Sequence, residues 1–207
     1  MKHIFRNVFL GLLISALVAA CAAREPSLPL NSERIEARFG SYGVDILEQN
    51  SSRRVTCLYS GAGPDRRCRT LAIVRFEDPA PAPLREPLRQ IREGASLGAT
   101  LSAAGWRVEK VNRHLGAARI ENLPVVAGYF PAAGTDSFAL HIYDLNARNG
   151  RNGDTVLTVA QLLEVHDPAY LDDSELLQIY ADLPQKPLPD TALDAWLNEL
   201  SRIPAAR

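Results

Sequence analysis

Two hydrophobic periods divide this chain. Alternation of apolar and polar residues, the mark of a strand with side chains on opposite faces, runs over 43–48, 55–59 and 71–76. In the second run Val55, Cys57 and Tyr59 share a face. The cluster Gln49-Asn50-Ser51-Ser52 turns the chain between the first two. These three segments predict an antiparallel meander. Further strands are expected at 106–111 (WRVEKV), 138–145 (FALHIYDL) and 155–165, with a short edge strand at 125–130. His141 falls on the face opposite Phe138, Leu140 and Ile142, as a surface or hydrogen-bonded histidine. His114 stands beside Arg113 at a strand end, where solvation accounts for it.

The helical period marks the other segments. Ile35 and Phe39 lie one turn apart within 32–39. Leu84, Leu88 and Ile91 form a stripe with Arg85, Arg89 and Arg92 outside it, and Pro87 is tolerated only in the first turn. Leu97, Thr100, Leu101 and Ala104 continue as a second piece. Gly94 and Gly105 stand where helix-ending glycines belong. The last helices cover 172–182 and 190–203. In the final one Leu193, Trp196, Leu197, Leu200 and Ile203 form one stripe, and Thr191 with Asp194 resembles a capping box. The stretch DPAPAP reads as a stiff connector between a strand and a helix. Neighbouring strands and clustered helices predict an α+β fold: an antiparallel sheet of roughly six strands, with helices mainly on one face.

The N-terminus carries a different signal. Lys2 and Arg6 precede a dozen apolar or small residues, too short a run to span a bilayer comfortably. The run ends in Val18-Ala19-Ala20-Cys21, which resembles a bacterial lipobox. That resemblance covers only this segment. It implies cleavage before Cys21, lipidation of its thiol and acylation of the new N-terminus. Ala22 follows, where Asp would signal inner-membrane retention, so the implied place is the outer membrane, facing the periplasm. The chain then divides into a signal peptide (1–20), a lipidated tether (21–31, containing REPSLPLN) and one domain (32–207).

Composition narrows the chemistry. Hydrophobic residues make up 46% of the chain, enough for a core, and the formal charge is -1. Loss of Lys2 and Arg6 makes the remainder two charges more negative. A nucleic-acid partner is not expected from such a balance. Of three cysteines, Cys57 and Cys68 remain after Cys21. They flank a Gly-Pro-Asp turn between alternating runs, which predicts a disulfide across a hairpin in an oxidising compartment. C-x-x-C redox spacing is absent.

The string GASLG at 94–98 fits the G-x-S-x-G elbow of serine hydrolases. An elbow follows a buried strand, whereas PLREPLRQIRE precedes this one. A helix end at Gly94 and a cap at Ser96 explain the letters better. Gly98 then needs close packing or a bent turn, since glycine costs about 1 kcal/mol inside a helix. The hydrolase alternative uses Ser96, Asp144 and His166 in that order, or His141 in place of His166. Asp144 and Asn146 open an oxygen-rich loop, but Arg148 occupies the next ligand position and no late Glu follows, so asparagine-glycine turns explain it better than calcium. No phosphate loop, dinucleotide fingerprint or metal-ligand cluster appears, so neither cofactor nor metal is expected. The expected function is a non-enzymatic, outer-membrane-anchored binding or envelope-assembly module, with an envelope protein as partner. The alternatives are a tethered serine hydrolase using Ser96, and a small-ligand or lipid-binding domain with a groove at 125–130.

Overall fold

The computed structural model of the protein describes residues 28–130, 136–149 and 155–206. The signal segment, Cys21, most of the tether and the tip of the asparagine-glycine loop lie outside them. The elements follow as α1 (Asn31–Phe39), β1 (Gly43–Gln49), β2 (Arg53–Ser60), β3 (Arg67–Phe76), α2 (Arg85–Arg92) and α3 (Leu97–Ala103). Then come β4 (Trp106–Arg119), α4 (Pro124–Ala127), β5 (Ser137–Asn149), β6 (Val156–His166), α5 (Asp173–Tyr180) and α6 (Asp190–Leu200). The strands form one sheet in the order β1-β2-β3-β6-β5-β4, antiparallel throughout. Two three-stranded meanders thus meet at β3 and β6. The fold is α+β, as the periodicities predict.

The register assigns side chains to faces. Leu71, Ile73, Leu163, Val165, Leu140 and Ile142 pair across β3, β6 and β5. They pack against Val126 of α4 and against Trp196 and Leu200 of α6. Glu199 of α6 accepts from Arg53 of β2 and from Arg75 of β3, and the Arg75 guanidinium stacks 3.5 Å from the Trp196 ring centre. On the opposite face Val74, Phe76, Leu162 and Leu145 meet Leu88 and Ile91 of α2 and Leu101 of α3. Ile35 of α1 and Leu176 and Tyr180 of α5 close the rest of that face. Four helices therefore cover one face and two the other.

The hairpin of β2 and β3 is joined by the Cys57–Cys68 disulfide, with Cα atoms 5.8 Å apart. Its turn uses Gly61 and Gly63 at positive φ, which L side chains resist.

Several local expectations need correction. Residues 125–130 are not an edge strand: Pro124 opens α4 at its first position, where its missing N–H costs nothing. Val126 and Phe130, one helical turn apart, are then both buried. Strand β4 runs on to Arg119 with a bulge between Asn112 and His114, so His114 lies mid-strand and half-buried. Pro189, not Thr191, precedes α6, and no side chain caps it. Ser96 does hold the cap position of α3, but its hydroxyl makes no capping bond. Gly98 is explained by packing: a Cβ there would lie 2.6 Å from Leu30 Cδ1.

Candidate functional site

The strand β6 reads TVAQLLEVH, and its end brings Glu164 and His166 to the face under α1 and α5. Glu164 pairs with His141 of β5 and Ala72 of β3, and His166 pairs with Thr70. Two residues along, the same face carries Tyr143, opposite Asn112. A polar patch is thus built by period-two spacing on four adjacent strands. Its members are buried: His141 and His166 are 0% exposed and Glu164 4%.

Hydrogen bonds organise this patch around Glu164. Its Oε1 accepts from Tyr143 Oη at 3.1 Å and from Asn31 Nδ2 at 3.5 Å. Its Oε2 faces Lys110 Nζ at 3.6 Å and His166 Nε2 at 4.0 Å, with no hydrogen-bond partner of its own. Asn31 Nδ2 also donates to Thr70 Oγ1 at 3.0 Å, and that hydroxyl lies 3.0 Å from His166 Nδ1. The arrangement suits a Thr70 hydroxyl donating to Nδ1 and a proton on Nε2, aimed at Glu164. Tyr170 donates to Asn31 Oδ1. His141 Nε2 lies 2.9 Å from Asn112 Oδ1, while Asn112 Nδ2 donates to the Tyr180 carbonyl at 2.6 Å. His141 therefore donates from Nε2.

Electrostatics set the charge states. Burial pushes the His166 imidazole down to about 4 against the pull of Glu164, so it is neutral at pH 7. Burial also drives His141 well below the ordinary histidine value, with Lys110 adding to the effect. Burial alone would raise Glu164, but Lys110, His166 and the bonds from Tyr143 and Asn31 outweigh it and hold the carboxyl low. Tyr143 is pushed well above the usual phenol range by burial and by Glu164. At neutral pH the counter-charge of Glu164 is Lys110. Chemically, this network pins α1 and α5 to the sheet. Glu164 and His166 sit too deep for a substrate to touch.

Lys110 alone of the ion pair reaches outward. Its stem lines a cleft of about 360 Å³ bounded by Leu28–Leu30, Val108, Tyr180, Leu183 and Pro184. Arg107 and Arg148 stand at the same cleft, and both donate to Glu109 Oε1. Beyond Lys110 the edge of β4 is covered: Asn112 N–H donates to the Pro184 carbonyl and Lys186 N–H to the Asn112 carbonyl, both at 2.8 Å.

The residues singled out from the sequence are not brought together. Asp144 pairs with Gln161, an odd number of residues from His166, so the two side chains take opposite faces. Asp144 accepts from Gln161 Nε2 at 3.1 Å and Arg113 Nη1 at 3.2 Å. Five residues of strand, about 17 Å, also separate its row from that of His166. His141 lies three residues from Asp144 and likewise on the other face. Ser96 follows Ala95, whose carbonyl accepts from Arg54 at 3.1 Å, at the end of β2 remote from the Thr70 row. At 125–130 Phe130 packs edge-on to Phe138 at 5.3 Å. Tyr129 donates to the Pro204 carbonyl at 2.7 Å and, with Gly128, borders an open groove of about 780 Å³ along β1. Among the described residues no helix is long and apolar enough to cross a membrane.

Sequence reasoning missed the Glu164 network and the role of Lys110. The available signal was polar residues at period two, Glu164 with His166 and His141 with Tyr143, with the apolar Val165 and Ile142 set between them on their strands. Comparison with protein-family models and with curated proteins found no match to this chain.

Proposed function

We propose that this protein is a lipid-anchored envelope lipoprotein of the outer membrane. Its periplasmic α+β domain acts by binding rather than by catalysis. One observation carries the reading. The first described residues, Leu28–Leu30, form a wall of the Lys110 cleft. Seven peptide links join Leu28 to Cys21, a reach of at most about 25 Å. An anchor at Cys21 keeps the cleft beside the membrane surface in every conformation of the tether. The Cys57–Cys68 bridge suits the oxidising compartment that this reading requires. The separation of Ser96, Asp144 and His166 speaks against the hydrolase alternative.

The test is made in the native host. Mass spectrometry should find a chain beginning at an acylated Cys21, and this chain should float with outer-membrane vesicles, whereas Cys21→Ala should not. An unmodified, uncleaved N-terminus overturns the placement. Covalent labelling of Ser96 by a fluorophosphonate probe in the folded protein would overturn the non-enzymatic part.

A further inference from the structure

We infer that the open edge of β1 is a docking site for an extended, acidic segment of a partner protein, which adds to the sheet as a further strand. The inference deepens the binding reading above and rests on it for the role of such a contact, not for its geometry. The two edges of the sheet are treated differently. On β4, the Asn112 backbone bonds to Pro184 and Lys186, so the chain covers part of that edge itself. Among the described residues β1 pairs only with β2, and the N–H and C=O groups on its outer side meet no strand. Val44 and Ile46 on this strand are 41% and 42% exposed, whereas an edge left to water is defended by charge or proline. The bulge at Leu47 bends the strand, which leaves Gly43–Ile46 as the run that a partner can pair with. Asp45 lies opposite Cys57 and shares its face, so Val44 and Ile46 take the other. The groove of about 780 Å³ follows the strand, lined by Leu47, the Cys57–Cys68 bridge, Tyr129 and Pro204. A strand added here sets one row of side chains towards that bridge and the other beside Val44 and Ile46. Charge selects the segment. Arg66 at the groove is matched by Asp45. Arg67 beside it is exposed and donates only to the Pro64 and Arg66 carbonyls, both from Nη1. Among the described residues it meets no carboxylate, and the exposed Asp65 of the same turn does not pair with it. Its Nε and Nη2 keep the fork that a carboxylate accepts.

The experiment uses the mature full-length protein in phosphatidylcholine vesicles. The probes are short capped peptides that alternate valine and threonine, flanked at both ends by aspartate in one and by lysine in the other. Fluorescence anisotropy of the labelled peptide measures binding, and hydrogen-exchange mass spectrometry follows residues 43–49. The aspartate peptide should bind and slow exchange over 43–49, and the lysine peptide should bind roughly fivefold more weakly, the factor of one exposed ion pair. Arg67→Glu should reverse that order. Ile46→Lys, which places a charge on the edge, should abolish binding of both. Thermal melts confirm that each variant is folded, and the exposed Arg67→Glu decides the matter where Ile46→Lys is not. Unchanged exchange over 43–49, or equal binding of the two peptides, overturns the proposal. So does a dimer in sedimentation that neither peptide dissociates, since the edge then belongs to a second copy of this chain. Flotation reads the anchor separately. A chain that does not float refutes the tethered reading, and the same titrations in solution then decide the edge.

Discussion

Lys110→Met is the most informative single perturbation. It keeps most of the apolar stem, which crosses the faces of Tyr143 and Tyr180 with Nζ at 4.1 and 4.9 Å from the ring centres. It deletes the ammonium 3.6 Å from Glu164 Oε2. With an effective dielectric constant of ~20, a pair at that separation interacts by roughly 5 kcal/mol. The lysine side chain is only 11% exposed, so its own desolvation offsets part of this. Breaking a buried pair by removing one partner typically costs 3–5 kcal/mol, because the other charge is left uncompensated. We expect a loss of about 3 kcal/mol at pH 7, a large share of a domain's total stability. Urea unfolding followed by fluorescence of the buried Trp196 measures it, with far-UV circular dichroism as the check on two-state behaviour. The pH dependence has a definite sign. In the parent protein the Glu164 carboxyl is held low, so it contributes stability above its unfolded value that is lost as the pH falls. In Lys110→Met its folded-state value rises above the unfolded one, so the penalty is full at high pH and disappears on acidification. Hence the difference between the two proteins shrinks from pH 7 to pH 5. In a Glu164→Gln background the lysine substitution should cost well under half as much. A loss below about 1 kcal/mol at pH 7, or one independent of both pH and residue 164, would refute the account of the network.

Other expectations follow from the same geometry. His166 is held down to about 4 against an ordinary 6.5, so stability is complete above the unfolded value and declines towards pH 4, by about 3 kcal/mol in total; a non-titrating residue at 166 should flatten that part of the stability profile, and an unchanged slope counts against the assignment. Replacing Cys57 and Cys68 together by serine opens a bridge between residues 11 apart and should lower stability by about 3 kcal/mol, with the same loss in the parent under reductant. Ser96→Ala should shift stability by less than about 0.5 kcal/mol, because the hydroxyl caps nothing; a loss of 1 kcal/mol or more, as a working N-cap gives, would show a bond absent from this structure.

Periodicity made the secondary structure legible where burial and period coincide. The stripe of Leu84, Leu88 and Ile91 and the alternation of Val55, Cys57 and Tyr59 each lie on the faces expected, because one side of each element meets a core. The segment 125–130 misled because apolar residues in a short run fit helix or strand equally. Proline at the first position, not hydrophobicity, decided it. The candidate site was least legible. Polar residues at period two on FALHIYDL and TVAQLLEVH look like the wet face of a sheet. Only α1 and α5 lying over that face, supplying Asn31 and the Tyr180 carbonyl as partners, turn it into an interior.

The linear order of residues was enough to set the fold class, most of the strand segments, the disulfide pair and the expectation of an N-terminal anchor, since each rests on local spacing or on neighbours within a dozen positions. Which residues meet at Glu164 could not be read from it. Lys110 and Tyr143 reach Glu164 across the β4-β5-β6 meander, Thr70 joins them only because β3 pairs with β6 at the centre of the sheet, and Asn31 only because α1 lies over that face. Burial, which decides the charge of His166 and makes Lys110 the partner of Glu164, belongs to that packing and to no segment alone.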